Sequence, residues 1–187
     1  MIRKIRFYAL FLLFLTVTLT CGRQAEASVP SFGRGPVEVR FYTDYFCPPC
    51  QATEPVLEPI FQELIERKAI RLTIIDTPFN RGTILLARYY LFATRGVTDL
   101  AAAFRVRKIL LTAAQRALTQ PEQIEALLKE EKVPFKSFDV KPILDGYNAL
   151  FREDRISATP TAVIIEQGVK RVLVGGNEIV RALRALP

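Results

Sequence analysis

Two cysteines three positions apart, Cys47 and Cys50, carry the chemistry this sequence offers. They stand in Phe46-Cys47-Pro48-Pro49-Cys50, between a stretch with strand character and one with helical periodicity. At such a junction the first thiol meets unsatisfied helix N–H groups and the positive end of the macrodipole, which favour an anion. The second lies one turn on, within bonding reach. The thiolate is the attacking species in disulfide exchange, so a site that favours it raises reactivity. Cys47 is therefore the expected nucleophile, and Cys50 the thiol that resolves the mixed disulfide.

Metal binding competes poorly for this pair. Zinc and iron–sulfur sites usually take about four ligands, and the chain has no histidine and one further cysteine, Cys21. Copper(I) would want a soft third ligand, but the single methionine is Met1. No cofactor is expected beyond the redox-active Cys47–Cys50 disulfide itself. Pro48 and Pro49 have no backbone N–H, so the Cys47 thiolate keeps few local donors, chiefly Cys50 and Gln51. With no histidine in the turn either, a moderate reduction potential is expected.

The chain has 187 residues, enough for one domain with a hydrophobic core. Arg3, Lys4 and Arg6 precede an apolar run, Phe7 to Leu19, and Ala25-Glu26-Ala27 offers a small-x-small cleavage site. Residues 1–27 thus have the layout of a secretory signal. The run is short for a span of about 20 residues, although an uncleaved anchor fits too. Cys21, after the apolar run, offers a second reading as a lipidated cysteine, with the signal ending before it. With Cys21 removed or acylated, only Cys47 and Cys50 remain as free thiols. One close pair closes too short a loop to staple a fold, so the core must hold the domain and the pair is left for chemistry. Without residues 1–27 the net charge falls from +7 to +4. No basic block suggests nucleic acid as a partner.

The positioning elements can be read from the pattern. Residues 28–36 form a Pro/Gly-containing leader. Val37 to Asp44 reads as a strand. A helix opens at Pro49 or Cys50 and runs to about Lys68, with Ala52, Val56, Leu57, Ile60, Phe61, Leu64 and Ile65 at helical spacing and Pro55 and Pro59 expected to kink it. Ile70 to Asp76 is a second strand, and strand–helix–strand implies a right-handed parallel crossover. Helices follow at Thr83–Thr94, Asp99–Leu118, Pro121–Glu131 and Lys141–Phe151. Thr161–Glu166 and Lys170–Val174 read as an antiparallel hairpin around Gln167-Gly168, and Glu178–Leu186 as a closing helix. The fold class is α/β, βαβ then ββα, with residues 37–80 and 156–187 as one unit and 81–155 as a helical insertion. Within the insertion, Leu85 to Phe92 reads as helix core rather than a peptide groove, and Arg105, Arg107 and Lys108 as a solvated basic face.

Three motifs in this order resemble the thioredoxin superfamily, most closely its exported DsbA-like branch. Phe41-Tyr42-Thr43-Asp44-Tyr45-Phe46-Cys47-Pro48-Pro49-Cys50 looks like the strand and active-site turn, with the aspartate that branch often places three residues before its first cysteine. Pro55 stands where helices of the family commonly kink. Ser157-Ala158-Thr159-Pro160-Thr161 resembles the cis-proline loop, which in the family faces the cysteines. The resemblance covers roughly Val37 to Leu186 and implies a thioredoxin-like fold and thiol–disulfide oxidoreductase activity. It makes Phe46, Pro48 and Pro49 the active-site turn and Thr159 and Pro160 a clamp on substrate backbone. The chain departs from the family at Phe41, where relatives often keep a buried acid. The resemblance implies a periplasmic or envelope location and cysteine-containing exported proteins as substrates. It also implies a membrane redox partner: a quinone-linked oxidase if disulfides are donated, a thiol reductant carrier if they are removed. A redox-inactive peptide-binding or holdase protein is the expectation from another class.

Overall fold

A computed structural model describes residues 29–187. The signal, the cleavage site and Cys21 lie outside the described residues. Strand β1, Val37–Thr43, pairs in parallel with β2, Ile70–Asp76, from Val37 opposite Ile70 to Thr43 opposite Asp76. Between them runs helix α1, Pro48–Glu66. Four helices follow: α2 Thr83–Thr94, α3 Leu100–Gln115, α4 Pro121–Glu130 and α5 Lys141–Glu153. The chain returns as β3, Thr161–Glu166, antiparallel to β1, then β4, Val169–Val174, and closes with α6, Gly176–Arg184. The sheet order is β2-β1-β3-β4.

Local chemistry sets most of these boundaries. Asp99 accepts the Ala102 N–H at 3.0 Å and caps α3, the usual role of an aspartate at that position. Proline opens α4 at Pro121, while the Gln123 side chain accepts the Gln120 N–H at 3.2 Å. The leader is an arm rather than a loop: Phe32 and Leu72 exchange backbone hydrogen bonds at 2.8 Å, capping the outer edge of β2. Gly35 permits that approach, since a Cβ there would come within 2.2 Å of the Ala69–Ile70 backbone.

Two apolar clusters flank the sheet. The larger joins Val39, Phe41 and Ile74 to Leu57 and Phe61 of α1 and to the apolar face of α3. The smaller packs Tyr42, Ile75 and Val163 against Tyr147 of α5. The apolar face of α1 differs from the expected one. Leu57, Ile60, Phe61 and Leu64 are buried as expected, but Ala52 and Val56 are exposed. The reason is phase: Cys50, Thr53, Glu54, Leu57 and Phe61 recur every three to four residues and define the buried stripe, so Ala52 and Val56 fall outside it. Pro55 and Pro59 are exposed, and the helix runs through both. Among the described residues no helix is long and apolar enough to cross a membrane.

Candidate active site

β1 ends at Thr43 and the chain turns before α1 begins at Pro48. The Cys47 N–H donates to the Asp44 carbonyl at 3.2 Å, and the Gln51 N–H donates to the Cys47 carbonyl at 3.0 Å. Cys47 thus ends a tight turn and caps the helix in an extended conformation. Pro48 and Pro49 fill the first turn and are exposed, so two of the donors usually open at a helix start are missing. Cys47 is half-buried; Cys50, one turn on, is fully buried.

This difference in exposure is a difference in chemistry. Burial pushes the Cys50 thiol up to about 12, and the neighbouring Cys47 adds to the rise, against smaller opposing contributions from Thr159 and the Asp44 backbone. The Cys47 Sγ lies 3.4 Å from the Thr159 carbonyl oxygen, to which its S–H donates. The Thr159–Pro160 peptide is cis. Pro160 is buried, its carbonyl accepting the Gly175 N–H at 2.9 Å, and Thr161 Oγ1 donates to the Ala158 carbonyl at 2.8 Å. The hairpin thus brings residues 158–161 to the turn near residue 47.

Asp44 holds the turn from the other side. Its carboxylate is fully buried and takes hydrogen bonds from the Phe46 N–H at 2.7 Å, Thr83 Oγ1 at 2.8 Å, and the backbone and amide N–H groups of Asn80 at 3.0 Å each. Gln51 Nε2 donates to the Tyr45 carbonyl at 2.7 Å. Phe46, half-buried, lies against Gly82; a Cβ there would stand 2.5 Å from its ring, so a larger residue would push the ring aside.

Sequence reasoning missed a charged cluster in the core. Arg107, expected on a solvated face, is fully buried. Its Nε and Nη2 donate to Glu54 Oε2 and Oε1 at 2.9 and 3.0 Å, and Nη1 to Asp76 Oδ1 at 3.0 Å and Tyr45 Oη at 3.2 Å. The guanidinium also stacks over the Tyr45 ring, 4.8 Å from its centroid. Arg105 and Lys108 are exposed as expected, Lys108 pairing with Glu58. Arg107 differs because it falls in phase with Phe104, Leu110 and Leu111 on the buried side of α3. Charges at apolar phase were the available signal: Glu54 lies one turn after Cys50, and Asp76 ends an apolar strand. Burial raises Asp76 to about 6 despite the attraction of Arg107, with Glu54 adding repulsion. Asp76 Oδ2 and Tyr90 Oη have no hydrogen-bond partner among the described residues. Phe41 is a buried core residue beside Phe61, so no carboxylate stands at that place in β1.

Most of the Leu85–Phe92 stretch is buried in the core, from Leu86 to Phe92 with Arg88 exposed. A second buried network lies at the far end of α5. Asp154 accepts Tyr42 Oη at 2.5 Å and Arg40 at 3.1 Å, and also pairs with Lys170. It ties the segment leading to Thr159 to β1 and β4.

A family model described as Thioredoxin matches residues 34–173. No curated protein sequence matches the chain. Among solved structures it is similar to a putative protein-disulfide isomerase from Pseudomonas syringae, at 14% identity over 84% of this chain and 99% of that one, with a TM-score of 0.66. The thiol-disulfide exchange protein alpha-DsbA2 from Wolbachia pipientis shares 18% identity, covers 85% of each chain and gives a TM-score of 0.60. A periplasmic thioredoxin-like protein from Salmonella enterica serovar Typhimurium shares 17% identity over 82% of this chain and 86% of that one, at 0.58. At these identities the structural likeness speaks to the fold: a thioredoxin-like sheet with a helical insertion.

Proposed function

The chain belongs to the thioredoxin family, and from that premise we propose that it is a thiol–disulfide oxidoreductase acting on cysteines of exported proteins. The observation that carries this is the asymmetry of the pair: Cys47 half-exposed at a helix start, Cys50 fully buried one turn behind it. That arrangement suits one thiol to meet substrate and the other to resolve.

In the oxidising direction a substrate thiolate attacks the Cys47 sulfur of the Cys47–Cys50 disulfide. The Cys47–Cys50 bond breaks, and Cys50 leaves as a thiolate and takes up a proton. A second substrate thiolate then attacks the substrate sulfur of the mixed disulfide and expels Cys47. The substrate loses two electrons to the pair. The Thr159 carbonyl beside Cys47 supports a role for Thr159 and Pro160 in holding extended substrate backbone. Phe46, Pro48 and Pro49 form the turn that presents Cys47. Residues 1–27 would export the chain to the periplasm or envelope, where a quinone-linked membrane oxidase would reoxidise the pair.

One observation favours the reverse direction as a second reading. A Cys50 held protonated by burial adds no ionic stability to the reduced pair, and a thiol of such high pKa leaves slowly. Both features lean toward reduction, with a membrane thiol reductant carrier as the electron source.

Trapping tests the assignment. Cys50→Ser should accumulate mixed disulfides with exported thiol proteins, and Cys47→Ser almost none. Exchange that survives Cys47→Ser would replace this reading with that of a peptide-binding protein or holdase.

A further inference from the structure

Phe79 is the one aromatic among the exposed large apolar side chains of the described residues, 48% accessible. It packs edge-on against half-buried Phe151 of α5, ring centroids 5.7 Å apart at 70°. An aromatic left in water gives up contact area it could bury, and this one is held in place. Its neighbour Asn80 gives two N–H groups to Asp44, whose carbonyl receives the Cys47 N–H. On the other side, the Phe151 carbonyl accepts the Ile156 N–H at 3.2 Å. Ile156 opens the segment that leads to Thr159, whose carbonyl meets Cys47. The two rings therefore link residue 79, beside the Asn80 that holds the Cys47 turn through Asp44, to the end of α5 that leads into residues 156–160.

The unpaired charge next to the rings along the chain has one sign. Arg81, Arg152 and Arg155 are exposed and form no ion pair among the described residues. The nearby acids are occupied: Glu153 and Asp154 pair with Arg40 and Lys170, and Asp44 is buried in its own hydrogen bonds. We propose that the Phe79–Phe151 pair is a docking surface for an extended, acidic peptide that places an apolar side chain beside its reacting cysteine. This rests on the exchange reading above and names the substrate class of that site.

The test uses two-cysteine peptides, which reduce the Cys47–Cys50 disulfide as they are oxidised. The probes carry Phe or Gly beside the first cysteine and glutamates or lysines around it. The pre-oxidised parent protein should oxidise the Phe/glutamate peptide about fivefold or more faster, by the second-order rate constant of a single turnover, than the Gly/glutamate peptide, within the range one aromatic contact supplies. Phe79→Ser should bring that ratio below about two, while Phe79→Trp should keep it. Lysines in place of glutamates should slow the reaction, less so at high salt. A ratio near one in the parent, a ratio unchanged in Phe79→Ser, or equal rates for the two charge types would overturn the proposal. Oxidation of glutathione by the parent separates the failures. If glutathione is oxidised and no peptide preference appears, the exchange reading stands and this one falls. If neither glutathione nor peptide is oxidised, both fall.

Discussion

Arg107 and Glu54 meet as a fork inside the protein: Nε to Oε2 at 2.9 Å and Nη2 to Oε1 at 3.0 Å, with both side chains buried. The bond joins a helix of the insertion to the helix that begins at the cysteines, one turn past Cys50. Two parallel charge-assisted bonds add geometric specificity to attraction.

Arg107→Met should destabilise the protein by about 3–5 kcal/mol, because it leaves two carboxylates buried without their cation. Arg107→Lys keeps the charge but loses the fork and the ring stacking, so it should fall between. Replacing Arg107, Glu54 and Asp76 together by apolar residues of similar size should cost far less than Arg107→Met alone. Urea unfolding measures all three; a loss below about 1 kcal/mol for Arg107→Met would remove the cluster from the stability argument.

Asp76 predicts a pH effect. Burial raises its folded value from the ordinary 3.8 to about 6, so the folded state binds the proton more tightly than the unfolded chain. Its contribution to stability is fully present below about 4 and is lost as pH rises through about 6. Asp76→Asn keeps an acceptor for Arg107 and cannot ionise. Relative to the parent, the variant should gain stability between about pH 4 and pH 7. A difference that stays flat over that window would mean Asp76 titrates as an ordinary carboxylate.

In the reduced protein, Cys47 should be alkylated first. Cys50, pushed up to about 12, stays protonated and buried near neutrality. Iodoacetamide at about pH 8 should give a single label on Cys47, with Cys50 labelled only after denaturation. Mass spectrometry of the labelled peptides decides it, and a faster Cys50 would reverse the assignment of nucleophile.

The Cys47–Cys50 couple should lie at about −150 to −230 mV, below the strongest periplasmic oxidants near −120 mV. The turn has no histidine, two of its N–H donors are replaced by Pro48 and Pro49, and Cys50 is held protonated. Equilibration with glutathione supplies the value. A couple at the strong-oxidant end would show that stabilisation of the thiolate comes from groups other than the turn.

Local pattern determined the elements. Short runs rich in β-branched and other aliphatic residues placed Ile70–Asp76 and Thr161–Glu166, and periodic apolar residues placed Thr83–Thr94, because these signals depend on neighbours along the chain. The Cys47–Cys50 pair was legible for the same reason: its spacing and its strand–helix junction are both local. Tertiary structure alone decided what lies far apart in sequence. The Thr159 carbonyl reaches Cys47 across 112 positions, and no property of either segment shows that distance; the family resemblance supplied the expectation instead. Arg107 reads as one of the three basic residues Arg105, Arg107 and Lys108 on a helix surface until α3 packs its buried side toward Glu54 of α1 and Asp76 of β2. Burying a guanidinium is costly without partners, so its place in the core depends on Glu54, Asp76 and Tyr45, residues 31 to 62 positions away that only the fold assembles around it.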